Sequence, residues 1–169
     1  MSANIRKYPG IEITPADLES DKYLFSSYRT LLSYSWTSGV AIGRFLKGLK
    51  EGELWARKCL KCGRTLIPPR MYCEEDFRPT DEWVRVKDSG KVNTFSVSYV
   101  NNDASRRKSP VLVAVIDIDG ASPGMGILHL LGGVRPEKVS VGMKVRAVWR
   151  PRSKRRGAIT DIAYFAPRR

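Results

Sequence analysis

The sequence predicts a mainly β protein of the α+β class, in which N-terminal helices precede a small metal-binding ribbon and a C-terminal OB-fold barrel. Three observations support this prediction. All three cysteines lie between Cys59 and Cys73, helical periodicity is confined to the residues before them, and strand-like alternation fills the residues after them. The expected boundaries are 1–52 for the arm and helices, 53–80 for the ribbon and 81–169 for the barrel.

The chain is strongly basic. Its 30 Lys and Arg residues exceed its 17 Asp and Glu residues and give a net charge of +13, which predicts an anionic partner. Nucleic acid, a phosphorylated cofactor, an acidic protein surface and a membrane all qualify on charge alone. No apolar run approaches the ~20 residues that span a bilayer, and no signal peptide is recognisable, so we expect a cytoplasmic protein without a membrane partner. Clustered cysteines also suit a reducing compartment.

Two helices are predicted before the cysteines. Thr14 is a good N-cap, Pro15 and Asp17 suit a first turn, and the helix is expected to continue through Leu32. Its apolar and aromatic face comprises Tyr23, Leu24, Tyr28, Leu31 and Leu32.

The second helix is expected to begin near Thr37 or Ser38. Its buried stripe follows the helical period, at Ile42, Phe45, Leu46 and Leu49. The apolar faces of the two helices either dock on another chain or fold back on the barrel, and periodicity does not choose between these alternatives.

The ribbon carries a candidate metal site. Cys59 and Cys62 have the spacing of a metal knuckle and are followed by Gly63, while Cys73 is followed three residues later by Asp76 instead of a fourth cysteine. Asp can ligate zinc through oxygen, so the predicted site holds a structural zinc ion with three thiolates and either this carboxylate or water. The alternative is a hairpin without metal.

Strand-like runs continue to the end of the chain. They are rich in Val, Ile, Thr and aromatic residues, and turn residues bound them. The predicted strands are 53–58, 83–86, 91–100, 110–119, 126–134, 143–150 and 158–165. One helical turn is expected at 136–139, a layout compatible with a five-stranded OB-fold.

Two predicted loops of the barrel are basic and are candidates for anion binding. The loop 101–109 contains Arg106, Arg107 and Lys108. The loop 150–157 contains Arg150, Arg152, Lys154, Arg155 and Arg156. Candidates for catalysis are few. His129 is expected to be a strand residue satisfied by its neighbours, and Asp117 and Asp119 are expected to serve a turn.

Residues 45–167 resemble the family called Domain of Unknown Function 35. The resemblance rests on short runs in matching order, which are 45–49, 57–59, 67–70, 90–92, 94–97, 110–120, 131–136 and 141–145. It implies a rubredoxin-like zinc ribbon followed by an OB-fold. Asp76 departs from the four cysteines of that family.

The resemblance also implies a function. Members of the family are partners of thiolase-like enzymes, such as thiolase, hydroxymethylglutaryl-CoA synthase and steroid side-chain aldolases. A non-catalytic accessory subunit that helps to bind or channel CoA thioesters is therefore expected, with the basic loops near the phosphates of CoA. The alternative is a nucleic-acid-binding protein, in which Phe95 and Tyr99 are candidates for base stacking.

Overall fold

The structure of the protein is a computed structural model, and it describes residues 13–20, 24, 26, 29–101 and 103–168. The chain forms two compact units, residues 1–36 and 37–169. Within the described ranges, no helix has both the length and the apolar character needed to cross a membrane.

In the first unit, helix α1 is short and spans Pro15–Glu19. The Thr14 side chain accepts a hydrogen bond from the backbone of Asp17, and the Asp17 carboxylate accepts one from the backbone of Thr14, so the predicted N-cap is confirmed. The predicted continuation through Leu32 is wrong, since residues 29–38 are not helical.

A physical reason for this shorter helix is the exposure of the described residues on its predicted apolar face. Leu31 and Leu32 are 87% and 65% exposed, and most helical stability in proteins comes from the packing of such a face. Leu24 also lies on the surface. Tyr23 and Tyr28 lie outside the described residues.

In the second unit, helix α2 spans Gly39–Glu51 and confirms the second predicted helix. Phe45 and Leu49 are buried, and Leu46 packs partly buried against the same core. Ile42 remains 38% exposed, because the buried stripe runs along Ala41 instead. Of the two alternatives for this helix, folding back on the rest of the chain is therefore correct.

The ribbon contains five short strands in two sheets. Three of them form an antiparallel sheet, and the remaining pair forms a hairpin. The strands are β1 (Leu54–Lys58), β2 (Thr65–Leu66), β3 (Tyr72–Cys73), β4 (Arg78–Pro79) and β5 (Glu82–Val86). The three-stranded sheet has the order β2-β1-β5, and β3 pairs with β4.

The remaining strands form the five-stranded OB-fold sheet. They are β6 (Ser89–Val100), β7 (Arg106–Ile118), β8 (Gly126–Leu130), β9 (Lys144–Trp149) and β10 (Ile162–Pro167). The sheet has the order β10-β9-β6-β7-β8, and its two edges meet at a single bridge between Leu131 and Phe165. The sheet is thus a partly open barrel, as expected of an OB-fold. The predicted helical turn is a 3₁₀ helix at Pro136–Lys138.

One hydrophobic core joins helix, ribbon and barrel within the second unit. Its buried members include Phe45 and Leu49 of α2, Leu54 of β1, and Ile116 and Phe165 of the barrel. Burial of apolar side chains stabilises such a core by about 1.5–3 kcal/mol per large residue. The ribbon is therefore anchored to the barrel by packing as well as by the chain.

Alternating cations and aromatic rings also attach α2 to the ribbon. The guanidinium of Arg44 lies 4.4 Å from the ring centroid of Trp55 and 4.6 Å from that of Trp83. On the ribbon, Arg57 lies 4.8 Å from the Trp83 centroid and donates hydrogen bonds to the hydroxyl and the carbonyl of Thr80. Cation–π contacts of this kind contribute about 0.5–2 kcal/mol each.

Candidate metal centre

The first knuckle of the ribbon is the turn Cys59–Gly63 between β1 and β2. The backbone N–H of Cys59 donates to the carbonyl of Arg64 at 2.9 Å and closes the turn. Gly63 has a φ of +75°, in the left-handed region where a residue without a Cβ is favoured. The chain can therefore reverse immediately after Cys62.

The second knuckle is the turn Cys73–Phe77 between β3 and β4. Phe77 follows Asp76 as Gly63 follows Cys62, and it is also left-handed, with a φ of +49°. A side chain in this region costs roughly 1–2 kcal/mol. Because the Phe77 ring is 90% exposed, its packing does not offset that cost. The second knuckle thus has the same backbone turn as the first, although Asp76 and Phe77 stand where the first has Cys62 and Gly63.

The two knuckles bring the four predicted ligands together. The distances are 3.1 Å from Cys59 Sγ to Asp76 Oδ2, 3.6 Å between Cys62 Sγ and Cys73 Sγ, and 3.7 Å from Cys73 Sγ to Asp76 Oδ2. All four ligand atoms lie within 4.8 Å of one another. Around a tetrahedral zinc ion with Zn–S bonds of about 2.3 Å, sulfurs are about 3.8 Å apart and sulfur and oxygen about 3.5 Å. The donor set fits zinc.

The burial of these ligands favours a structural site over a catalytic one. Cys59 and Cys73 are buried, the Asp76 side chain is 12% exposed, and Cys62 lies on the surface. Four protein ligands complete a tetrahedron and leave no position for a substrate, whereas catalytic zinc keeps one position open.

Asp76 is poised as an anion. The hydrogen bond from the Cys59 thiol, followed by that from Cys62, lowers the pKa of Asp76 to about 2. Lys61 assists with its ammonium 3.4 Å from Asp76 Oδ1. On Cys62, a backbone hydrogen bond from Arg64 lowers the pKa, but the neighbouring Asp76 carboxylate raises it and the net pKa is about 12. A bound cation would reverse this balance by stabilising the thiolate.

The neighbouring acidic residues are engaged elsewhere. Arg64 forms ion pairs with Glu74 at 3.0 Å and with Glu75 at 2.8 Å, and Arg70 pairs with Glu74 at 3.0 Å. Of the acidic run 74–76, Asp76 is therefore the residue that joins the cysteines.

A further carboxylate supports the first knuckle. Asp81 accepts a hydrogen bond from the backbone N–H of Leu60 at 2.7 Å and forms an ion pair with Arg78 at 2.8 Å. Because Arg78 belongs to β4, this contact links the first knuckle to the hairpin that carries the second. Such supporting partners fix the orientation of metal ligands.

The first basic cluster does not lie in a loop. Arg106, Arg107 and Lys108 belong to the start of β7, so the predicted loop 101–109 is wrong and only residues 101–105 connect β6 to β7. The N–H groups of Arg107 donate to the carbonyl of Ser109 and to the side chain of Asn101. The strand begins four residues before the predicted start at residue 110, because cross-strand pairing extends it into the polar residues that precede the apolar run.

The second basic cluster is mostly exposed but contains one structural residue. Arg155 is half-buried, donates to the carbonyl of Arg150 at 2.7 Å, and lies 5.4 Å from the Trp149 ring centroid. A Cβ on Gly52, at the end of α2, would lie 2.5 Å from its guanidinium. Arg155 therefore packs against the helix end, whereas Arg152, Lys154 and Arg156 extend into solvent.

Asp161 holds the second basic cluster in place. Its buried carboxylate accepts hydrogen bonds from the backbone N–H groups of Arg156, Gly157 and Ala158 at 2.7–3.1 Å. Burial raises the pKa of this carboxyl, but the three backbone hydrogen bonds lower it below its usual range. Asp161 was not identified from the sequence, although its position in a basic stretch is a signal for such a contact.

The residues weighed as catalytic candidates are engaged structurally. His129 accepts a hydrogen bond from Leu130 N–H at Nδ1, so its Nε2 is assigned as the donor to the carbonyl of Ile159 at 3.2 Å. Asp119 accepts from the hydroxyl of Ser89 at 2.6 Å, and Asp117 accepts from Asn93 at 2.9 Å. The contacts of His129 and the position of Asp119 match the structural interpretation, whereas Asp117 lies within β7 and contacts the neighbouring strand instead of a turn.

Two family models match the chain, and together they cover its ribbon and most of its barrel. The model of the ChsH2 rubredoxin-like zinc ribbon domain matches residues 46–82, and that of the ChsH2 C-terminal OB-fold domain matches residues 83–150.

Two curated relatives are named DUF35 domain-containing scaffold proteins. The relative from Methanocaldococcus jannaschii is 32% identical over 94 residues, which cover 55% of this chain and 64% of the relative. The relative from Methanothermobacter thermautotrophicus is 26% identical over 99 residues, which cover 58% of this chain and 72% of the relative. This chain thus matches less than two thirds of the first relative.

Two solved structures are similar to this one. A DUF35-family protein of unknown function from Sulfolobus solfataricus has a TM-score of 0.53 at 31% identity, covering 62% of this chain and 75% of that one. A chain of the Ltp2-ChsH2(DUF35) aldolase has a TM-score of 0.57 at 18% identity, covering 79% of this chain and 98% of that one. With its ribbon, its OB-fold and this identity to the Sulfolobus protein, the chain belongs to the DUF35 family.

Proposed function

We propose that this chain is a non-catalytic accessory subunit that binds a thiolase-type acyl-CoA enzyme through residues 24–36. The observation that carries the proposal is the exposure of large apolar side chains in this segment. Its exposed members are Leu24, Leu31, Leu32, Tyr34 and Trp36. Exposed apolar groups that are close in sequence are a feature of protein docking sites.

The names of similar proteins support the choice of partner. Two relatives are called scaffold proteins, and a structural neighbour is part of an aldolase assembly. The engagement of His129, the only histidine of the chain, supports a role without catalysis, because both of its ring nitrogens are in hydrogen bonds.

A truncation tests this proposal, and the hydrophobic core determines how many residues can be deleted. Because Phe45 and Leu49 are buried in the shared core, a deletion through residue 50 would disturb folding, whereas a deletion of residues 1–36 spares α2. The full chain and the truncated chain are titrated by calorimetry with a purified thiolase-type enzyme of the same organism. We expect the truncation to weaken binding at least 100-fold and to leave the circular dichroism of the barrel unchanged.

Point variants provide a matched control. Leu31→Ser with Trp36→Ser removes two exposed apolar side chains from the segment, and Leu128→Ser with Leu130→Ser removes two from the barrel. Loss of binding in the first pair alone supports the proposal. Loss in the barrel pair alone would place the interface on the barrel, and a full chain that binds no thiolase-type enzyme would overturn the proposed function.

We also propose that the ribbon holds a structural zinc ion through Cys59, Cys62, Cys73 and Asp76. The fit of the ligand distances to a tetrahedral site supports this assignment. Zinc in such a site links the two knuckles and contributes to folding directly.

We further propose that the assembled complex binds CoA thioesters with help from exposed basic residues. The candidates are Arg106, Arg107, Lys108, Arg150, Arg152, Lys154, Arg155 and Arg156. Arg155 is a poor target for mutation because it packs against Trp149 and Gly52. Arg152→Glu with Lys154→Glu is the better test. Weaker acyl-CoA binding with unchanged complex formation would support this role, and unchanged acyl-CoA affinity would remove this pair from the site.

The nucleic-acid alternative has less support. Phe95 packs partly buried against the core, and Tyr99 is 50% exposed, so these two residues do not form an exposed stacking pair. Copurification of RNA, detected by the absorbance ratio of the purified protein, would favour this alternative.

A further inference from the structure

We propose that a cationic cleft at the start of β6 and β9 binds the phosphate groups of a small phosphorylated molecule. The cleft has a volume of about 710 Å³ and is lined by Lys87, Gly90, Lys91, Asp119, Lys144 and Arg168. Four of these residues are cationic and one is acidic. The inference does not rest on the proposed function, because the ligand class follows from the charge of the cleft.

The strand register forces two of these cations together. Lys91 of β6 pairs directly with Lys144 of β9, so both side chains lie on the same face of the sheet, with their Cβ atoms roughly 5 Å apart. Like charges in this arrangement destabilise a sheet. Arg168 joins them, because its backbone N–H donates to the carbonyl of Lys144 at 2.9 Å. An anion between these side chains would convert the repulsion into attraction.

A neighbouring cavity shows how this fold neutralises cations elsewhere. That cavity has a volume of about 510 Å³, and two of its three arginines are paired, Arg85 with Glu53 at 3.0 Å and Arg146 with Asp88 at 3.1 Å. The third, Arg168, also lines the cleft. The four cations of the cleft, by contrast, form no ion pair with any residue that the structure describes.

The single carboxylate of the cleft is already engaged. Asp119 accepts a hydrogen bond from the Ser89 hydroxyl at 2.6 Å, and its backbone N–H donates to the carbonyl of Ser89 at 2.9 Å. It lies in the turn 118–121, in which the backbone N–H of Ala121 donates to the carbonyl of Ile118 at 3.1 Å and Gly120 has a φ of +94°. Because four cationic residues line the cleft with this one carboxylate, its net charge is +3.

The number and type of cations indicate the class of ligand. Lysine ammonium groups act as point charges for phosphate, and an arginine can add a bidentate contact. Three lysines and one arginine suit a ligand with more than one phosphate charge, such as a diphosphate or a phosphate ester. All four side chains are solvent-exposed, so a dissolved ligand can reach them.

Calorimetric titration with inorganic pyrophosphate tests the cleft in the full chain. In Lys91→Gln with Lys144→Gln, we expect at least tenfold weaker pyrophosphate binding. Without ligand, we expect Lys144→Gln alone to raise the melting temperature by about 1–3 °C, because it removes the cross-strand repulsion and keeps Lys91 opposite Asp117, its partner in β7. The control is Lys47→Gln with Lys50→Gln, which removes the same charge from exposed positions on α2.

Three results would overturn the inference. The first is no binding of pyrophosphate by the wild-type chain at millimolar concentration. The second is an equal loss of affinity in the control pair, which would indicate a diffuse effect of surface charge. The third is displacement of pyrophosphate by a single-stranded oligonucleotide that binds more tightly through the same two lysines, which would assign the cleft to nucleic acid.

Discussion

The thiol of Cys59 and the carboxylate of Asp76 are in hydrogen-bond contact across the two knuckles, with 3.1 Å between Sγ and Oδ2. This contact joins residues that are 17 positions apart and belong to different hairpins. It places a carboxylate where a tetrahedral site needs its fourth ligand, because Cys62 and Cys73 complete the same cluster.

The first prediction concerns metal affinity. The purified chain should carry about one zinc ion, and Asp76→Cys should bind zinc at least tenfold more tightly because thiolate is the preferred fourth ligand. Asp76→Ala should bind it more weakly. Elemental analysis and competition with a chromophoric chelator measure both effects. A wild-type chain that carries far less than one metal ion without exposure to chelator would contradict the prediction.

The second prediction concerns the backbone of the second knuckle. Phe77→Gly should raise the free energy of unfolding by about 1 kcal/mol, because glycine adopts the left-handed conformation without the clash of a Cβ. Phe77→Ala is the control, since it removes the exposed ring but keeps the Cβ. Urea unfolding of the zinc-bound chain measures both variants. Equal stability of the two would show that the backbone conformation of Phe77 carries no cost.

The third prediction concerns Asp161. Asp161→Asn should lower the free energy of unfolding by about 2–4 kcal/mol, because the three backbone N–H groups lose a charged acceptor. The folded-state pKa of Asp161 lies below its unfolded value, so its contribution is complete above the unfolded pKa and is lost as pH falls through the folded pKa. The difference between wild type and variant should therefore shrink below about pH 4. A difference independent of pH would argue against an ionised carboxylate.

The fourth prediction concerns Arg44 between its two tryptophans. Arg44→Gln should lower the free energy of unfolding by about 1 kcal/mol and change the tryptophan fluorescence, because the cation between Trp55 and Trp83 is lost. Lys47→Gln, on the exposed face of the same helix, should change neither quantity. If the Arg44 variant were as stable as the Lys47 variant, the contacts of Arg44 with the two tryptophans would contribute nothing measurable to stability.

The sequence predicted what depends on local chemistry. The spacing of Cys59, Cys62 and Cys73 identified the knuckles, and the period of Phe45 and Leu49 identified the buried face of α2. Thr14 was recognised as a cap because capping involves only neighbouring residues. The domain boundaries 1–52, 53–80 and 81–169 remain predictions.

What the sequence did not predict depends on register and packing. The helix predicted through Leu32 ends early, because periodicity cannot reveal that Leu31 and Leu32 stay exposed. The pairing of Lys91 with Lys144 depends on the register between β6 and β9. This register cannot be predicted from the local sequence of either strand. The left-handed Phe77 could have been inferred by aligning the second knuckle with the first.

Hydrogen–deuterium exchange on the complex with a thiolase-type enzyme tests the central proposal most directly. Complex formation should slow exchange in peptides that cover residues 24–36, where Leu31 and Trp36 are exposed in the free chain. Peptides from β1 and β5, which lie in the anchored ribbon sheet, should exchange as in the free chain. Unchanged exchange across 24–36, with new protection on the barrel, would contradict the proposed interface.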